Sequence, residues 1–326
     1  AARREPAPCM PADSVSITML VDNSIDALLA GDEEVRRSPW VRLENPLIED
    51  GYANATLTAE HGFSARVTLT VDGESHRLLF DAGVSPDGMM ANIDRLQLNP
   101  RDIEAVVLSH GHFDHTGGLE GLSRRLGKSG LPLLAHRKAY TKRRSATPNG
   151  PVLPLPPPSK SALAGAGFEL VDADDPSLLF KDALLLTGEI PRRTDFEPGM
   201  PPSHQALGPE GWAPEPHLAD DQAMVVNVAD KGLVILTGCG HAGIINIVER
   251  AKEITGVDRV HAVLGGFHLP GAFYEAYIPQ TVDALVATGA HLVVPAHCTG
   301  YKATHEIARA MPDAFVQNAV GTTFAL

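Results

Sequence analysis

The chain has 326 residues, 44% of them hydrophobic and 21% charged, which is the balance of an ordinary globular protein long enough to bury a sizeable core. A formal net charge of −13 excludes non-specific binding to nucleic acid or to an anionic membrane surface. Only three cysteines occur (Cys9, Cys239 and Cys298), so a disulfide framework is excluded and a reducing, cytoplasmic setting is expected.

The opening stretch "AARREPAPCMPAD" has two arginines and no apolar core, so it does not read as a secretory signal as it stands. The absence of a leading Met leaves room for a removed upstream segment, and residues 1–14 are expected to be a flexible tail before a single domain over 15–326. No later apolar run approaches the ~20 residues of a membrane span, so no membrane partner is expected. "SVSITMLVDN" (14–23) reads as a first strand, and "ARVTLTVDGESHRLLFDAG" (65–83) as a hairpin turning at Asp72-Gly73. A helix over 86–98, an apolar strand over 103–108, a short helix over 119–127 ended by Gly127 and a strand over 131–136 follow.

Next comes "HRKAYTKRR" (136–144), the most basic run of the chain, whose plain reading is a solvated face. The Pro-rich "TPNGPVLPLPPPS" (147–159) is expected to be irregular, and so is the long stretch 191–217, giving excursions at 145–160 and 191–217. Strands resume at 168–171 and 183–190. The second half then repeats the layout of the first: hairpin 222–240, helix 242–254, strand 258–268, helix 277–289, strand 291–297, helix 303–311 and a closing strand 314–326. Two mixed β–α halves predict an α+β fold with two sheets packed face to face and helices outside.

"SHGHFDHTGG" (109–118) follows the buried strand and packs His110, His112, Asp114 and His115 into six positions. Neutral imidazoles and a carboxylate are metal ligands, and a Gly-bounded loop at a strand end is where sites are commonly built. Other polar strand ends add Cys239/His241, His268 and His297. Loops gathered at one sheet edge could bring these together, and two metals need about six protein ligands. The expected cofactor is therefore a pair of divalent ions, zinc first, with iron or manganese as alternatives.

His-x-His-x-Asp-His after a strand, with "FDAG" (80–83) about thirty residues earlier, resembles the metallo-β-lactamase fold, an αββα sandwich with one or two metals at the sheet edge. "AEHGFS" (59–64), "TGEIPR" (187–192), "DDQAMVV" (220–226), "GLVILTGCGHAGIINIVE" (232–249), "GGFHL" (265–269) and "PAHCTG" (295–300) are similar to its dihydropterin-phosphate-synthase-like branch. The resemblance covers nearly the whole chain. It implies His110 and His112 on one metal, Asp114 and His115 on the other, and His297 as the last metal histidine. Many relatives carry "GD" where this chain has "TGCGH"; His241 is expected to stand in as the ligand, with Cys239 contributing little. Asp81 is expected to orient a ligand histidine without binding metal itself.

The same resemblance implies substrate-binding roles for Glu60, His61, Glu189, Arg192 and His268, with Asp114 and His268 catalytic. Arg192 is expected to face the metal pocket and hold an anionic group, with Glu189 beside it on a ring nitrogen or hydroxyl. The implied function is a metal-dependent enzyme that acts through a metal-bound hydroxide on an anionic, phosphorylated or pterin-like small molecule. A general hydrolase of lactones, β-lactams or phosphodiesters, and a catalytically idle metal- or ligand-binding protein, stand as alternatives. No nucleic-acid partner is expected, and a homodimer is allowed for.

Overall fold

Along Ala65–Val71, within the strand Ser64–Val71, every second side chain is buried and its neighbours are only partly so, which is the two-residue period of a strand with one face on a core. The strand returns as Glu74–Phe80 through Asp72 and Gly73, both at positive φ (51° and 74°), the conformation a tight two-residue hairpin turn needs. This hairpin is the middle of an eight-stranded sheet in the computed structural model, which describes residues 9–147 and 150–326. The sheet runs Phe168–Asp172, Leu131–Ala135, Ala105–Val107, Glu74–Phe80, Ser64–Val71, Ser14–Val21, Thr323–Ala325, Val35–Arg36. A six-stranded sheet faces it in the order Ser177–Leu179, Leu184–Leu186, Ala223–Val228, Gly232–Thr237, Val260–Gly266, Leu292–Ala296.

Ile17, Val67, Leu69 and Phe80 from the first sheet meet Met224, Val226, Leu236 and Leu264 from the second in one continuous core. Helices cover both outer faces. Gly88–Arg95 and Leu119–Leu126 lay Ile93 and Leu122 over Val106 and Leu133. Ile244–Thr255, Ile278–Thr288 and Tyr301–Ala310 lay Ile247, Leu285 and Ile307 over Ile235 and Val263. Gly232–Thr237 is therefore buried on both faces, Val234 and Leu236 inward and Leu233 and Ile235 toward the helices, which is why its sequence is apolar without alternation. Truncating Leu236 to Ala would cost roughly 2–5 kcal/mol through lost burial and the cavity left behind. The architecture is the expected αββα sandwich.

The duplication read from the sequence is present in the strand pairing. In the first sheet Ser14–Val21 pairs antiparallel with Ser64–Val71, which pairs antiparallel with Glu74–Phe80; two parallel strands follow. Leu184–Leu186, Ala223–Val228, Gly232–Thr237, Val260–Gly266 and Leu292–Ala296 repeat that series of senses. The parallel strands of both halves end at the same edge of the sandwich, where the polar loops gather.

Three expectations change. The two irregular excursions pair with one another: Val152–Leu155, Arg143–Ala146, His204–Gly208 and Gly211–Pro214 form a four-stranded antiparallel sheet. Pro154 is tolerated because its strand lies at the edge. Part of the expected tail is docked, with Cys9 and Ala12 buried and the amides of Met10 and Ala12 donating to the carbonyls of Asp182 (2.9 Å) and Asn227 (2.8 Å). Residues 1–8 of that tail lie outside the described residues. The closing strand is short, Thr323–Ala325, beside an isolated bridge at Phe315. Among the described residues no helix is long and apolar enough to cross a membrane.

Candidate metal centre

The loop after Ala105–Val107 is shaped by close packing. A Cβ on Gly111 would lie 1.8 Å from the Ala139 carbonyl oxygen, and one on Gly117 1.8 Å from that of Val84, so only glycine fits at either place. The glycine between the histidines lets the loop turn against its neighbour, and the "TGG" closure packs the short helix Phe113–Thr116 against the "FDAG" loop. Asp81, Gly238, His268 and His297 are at strand ends of the same edge, and Asp81 (φ 57°), His268 (φ 35°) and His297 (φ 47°) hold left-handed backbone conformations. Such conformations cost of order 1–3 kcal/mol each and cluster where side chains must be aimed into a site.

Three sets of potential ligand atoms lie within 4.8 Å of one another: His110, His112 and His241; Asp114, His115, Cys239 and His297; and Cys239, His241 and His268. In the first set His110 Nε2 and His112 Nδ1 face each other at 2.9 Å. In the second, His115 Nε2 is 3.1 Å from Cys239 Sγ and Asp114 Oδ2 is 3.2 Å from His297 Nε2. Cys239 belongs to two of the sets and stands between them.

The ligands are held from behind. Asp81 accepts from the Ser109 amide (2.7 Å) and hydroxyl (2.6 Å) and pairs with His115 Nδ1 at 2.6 Å, leaving Nε2 free to face the site. Asp22 accepts the His297 amide at 2.7 Å and the Asn318 side chain at 2.7 Å, while Asn23 Oδ1 lies 3.2 Å from His297 Nδ1. Partners of this kind fix ring orientation and tautomer in metal sites.

Electrostatics favours cations. Burial first, then neighbouring histidines, hold His110 and His241 well below the usual histidine range; burial does the same to His112 despite Asp114 nearby. All three are therefore neutral imidazoles, the form that binds a metal. For His115 burial disfavours the charge, but the carboxylates of Asp81 and Asp114 outweigh it and lift the pKa to about 9. Burial likewise works against an ionised Asp114, and His115 and His297 overcome it, keeping the carboxylate charged. Among the described residues, both ring nitrogens of His241, and Nε2 of His297, are buried without a hydrogen-bond partner. Orphaned imidazoles converging with a carboxylate and a thiol are what a pair of divalent ions would satisfy, so the residues present fit a metal centre.

A cavity of about 460 Å³ opens over these sets. Asp114, His268 and His297 line its floor, His61 its exposed rim and Phe113 one wall, while Leu155, Met200, Pro201 and His204 form the side made by the outer sheet and its connection.

Residues 62–205 match the family described as the metallo-beta-lactamase superfamily. Over 260 residues the chain is 32% identical to the 7,8-dihydropterin-6-methyl-4-(beta-D-ribofuranosyl)-aminobenzene-5'-phosphate synthase of Methanocaldococcus jannaschii, covering 79% of this chain and 87% of that one. The chain belongs to the metallo-β-lactamase superfamily, in the branch of that synthase. An uncharacterized protein of the same archaeon, MJ0448, is 30% identical over 263 residues, 81% of this chain and 93% of its own. The fold is shared with the crystal structure of Tm1679, described as a metal-dependent hydrolase of the beta-lactamase superfamily, at a TM-score of 0.68 and 23% identity over 95% of this chain and 98% of that one.

Within this metallo-β-lactamase-fold protein the expected metal residues His110, His112, Asp114, His115, His241 and His297 are all brought together. His268 joins them in the cavity lining, its ring centroid 4.2 Å from that of His241, and His61 approaches Asp114 at 3.6 Å from the exposed rim. Cys239, expected to contribute little, lies within reach of Asp114, His115 and His297 on one side and of His241 and His268 on the other.

Three expected substrate contacts are not brought to the cavity. Arg192 is turned back into the fold, donating to the carbonyls of Ile190 (2.7 Å) and Leu218 (3.3 Å), which a guanidinium does when the chain folds over it. Glu189 is exposed in a separate groove beside His136, Arg137 and Asp174. Glu60 accepts from the amides of Val84 (3.2 Å) and Ser85 (3.1 Å) and from the Ser85 hydroxyl (2.5 Å), so it braces the loop after the hairpin. Three arginines of the basic run are engaged with protein partners as well: Arg137 pairs with Asp174, Arg144 lies 4.4 Å over the Trp212 ring, and Arg143 is buried between Glu215 (2.7 Å) and Asp220 (2.5 Å).

His204 is a site residue that sequence reasoning missed. Its Nε2 is 3.2 Å from His112 Nε2, and burial followed by Arg143 pushes its pKa down to about 4. The only signal was one of two histidines in a stretch rich in Pro and Gly, with no strand periodicity around it.

Proposed function

We propose that the protein is a two-metal enzyme of the dihydropterin-phosphate-synthase-like kind, acting on a small molecule whose reacting group is a phosphoryl or carbonyl centre. The observation that carries this reading is the division of the ligand atoms into one set of three histidines and one set of Asp114, His115, Cys239 and His297 beside a common cavity. His110, His112 and His241 would hold one ion and the second set the other. Bound there, divalent ions supply Lewis acidity and ionise water near neutral pH.

The chain's own residues would do the rest. Asp114 has its carboxylate at the cavity floor and stays charged, so it can orient the attacking water as well as bind metal. His268 lies across the cavity floor and is placed to give a proton to the departing oxygen. Phe113, Leu155, Met200 and Pro201 offer an apolar slot for the flat or hydrocarbon body of the substrate and keep water from it.

One observation favours a second reading, hydrolysis of a neutral lactone or ester. Among the described residues lining the cavity there is no lysine or arginine, so an anionic group would have to be met by the metal ions themselves. Metal analysis combined with turnover assays separates the readings. The leading one expects two divalent ions per chain and activity on a dihydropterin or ribofuranosyl-aminobenzene phosphate. Faster turnover of lactones would favour the second reading. A protein that binds no divalent ion, or is metallated and inert on phosphates, phosphodiesters and lactones alike, would contradict both and support an idle binding protein.

A further inference from the structure

His112 has two ring nitrogens and only one faces the first ligand set. Nδ1 points at His110 Nε2 across 2.9 Å, on the side where His241 also lies. Nε2 points the other way, to His204 Nε2 at 3.2 Å. Two imidazole nitrogens at that separation share one proton. If Nδ1 of His112 is to be free for a metal, its proton sits on Nε2, and His204 Nε2 accepts it.

The support of His204 makes this more than a chance approach. The residue begins the strand His204–Gly208 and pairs with Ser145 of the neighbouring strand. Its carbonyl accepts the Glu215 amide at 3.0 Å, and the Glu215 carboxylate holds Arg143. Arg143 also binds Asp220, and Asp220 Oδ2 accepts the Gly111 amide at 2.9 Å. The same buried ion pairs thus fix the strand carrying His204 and the backbone between His110 and His112. Metal-binding histidines usually pass their second N–H to a carboxylate or a carbonyl; here a histidine from the outer sheet takes that place.

We propose that His204 is a positioning residue for the metal ligand His112, accepting its Nε2–H and so coupling the outer four-stranded sheet to the three-histidine site. The inference rests on the metal-centre reading above. Without His204 the three-histidine site loses the group that fixes His112, while the site of Asp114, His115, Cys239 and His297 keeps its own support from Asp81 and Asn23.

The test uses the full-length protein with His204→Ala and His204→Gln, the latter keeping a carbonyl oxygen as acceptor. Affinities for two equivalents of cobalt or zinc are measured by competition with a chromophoric chelator. The expected result for His204→Ala is ~10–100-fold weaker binding at one of the two sites, with the other unchanged and with recovery in His204→Gln. In the cobalt-loaded wild type, one ring N–H resonance shifted by the metal should exchange slowly with solvent, exchange fast in the alanine variant and slow again in the glutamine variant. Unchanged affinity and exchange in His204→Ala overturn the proposal. So does an equal loss at both sites, which would mean a general disturbance of the fold. A wild-type protein that takes up no divalent ion fails the metal-centre reading instead, so the two failures are distinguishable.

Discussion

The two halves of the sandwich share one series of strand pairings, but they deliver their ligands differently. The first half places His110, His112, Asp114 and His115 on a single loop after one strand. The second half spreads Cys239 and His241, His268 and His297 over the ends of three successive parallel strands. Neither half completes a site. The pair His110/His112 needs His241, and the pair Asp114/His115 needs Cys239 and His297. A clustered loop is fixed by its own turn and by Asp81, whereas the dispersed ligands depend on the packing of the two sheets, His297 being held by Asp22 and Asn23 from the first. Metal binding in this architecture is therefore a report on sandwich closure, and the halves can be separated by substitution.

The largest effects are expected where both halves meet. His115→Ala should lower activity by at least ~100-fold and weaken the second metal site by a similar or greater factor, measured by turnover and by elemental analysis after dialysis. His241→Ala should do the same to the first site. If either variant lost both ions equally, the division into two sites would be wrong.

Next in size is Cys239→Ser. Because Cys239 stands between the sets, the substitution should weaken zinc ~10–100-fold and weaken a harder ion such as manganese less. Equal titration curves for wild type and variant would show that the thiol is only packed there. Asp81→Asn belongs to the same range. It removes the carboxylate that orients His115 and holds its pKa up, so proton release on binding the second ion should fall.

The pH dependence sharpens the comparison further. His115 is held protonated up to about pH 9 in the metal-free protein and must lose that proton to bind through Nε2. Burial keeps the Cys239 thiol protonated higher still, so affinity at the second site should rise by up to a hundredfold per pH unit between about 7 and 9 and by up to tenfold per unit above. The first site is built from histidines that burial keeps neutral, so its affinity should be nearly flat over the same window. Calorimetry in buffers of different ionisation enthalpy reads the proton count directly, and a first-site affinity that climbs just as steeply would break the contrast.

Much of this was readable beforehand, for physical reasons. The apolar runs ending in polar loops marked the sheet edge and offered His297 as a candidate, and the resemblance of "FDAG" and "PAHCTG" to the family supplied the expected roles of Asp81 and His297. The outer sheet was not readable. Arg143–Ala146 pairs with His204–Gly208 some sixty residues later, and neither segment has enough alternation to declare itself. His204 was lost with it. Arg192 was misplaced because a recurring stretch gives a residue's position in the chain but not which way its side chain turns. Accordingly, the smallest expected effect is that of Arg192→Lys: a stability loss of about 1 kcal/mol from the carbonyl contacts, seen as a small drop in Tm, with KM unchanged. A tenfold rise in KM would return Arg192 to the substrate.

The central claim is that two ions sit side by side, each bridging the two halves. Anomalous diffraction at the metal absorption edges, on crystals of the metallated protein, tests it most directly. The account predicts two peaks, one among His110, His112 and His241 and one among Asp114, His115, Cys239 and His297. A single peak among Cys239, His241 and His268, or ligands drawn from one half alone, would contradict it.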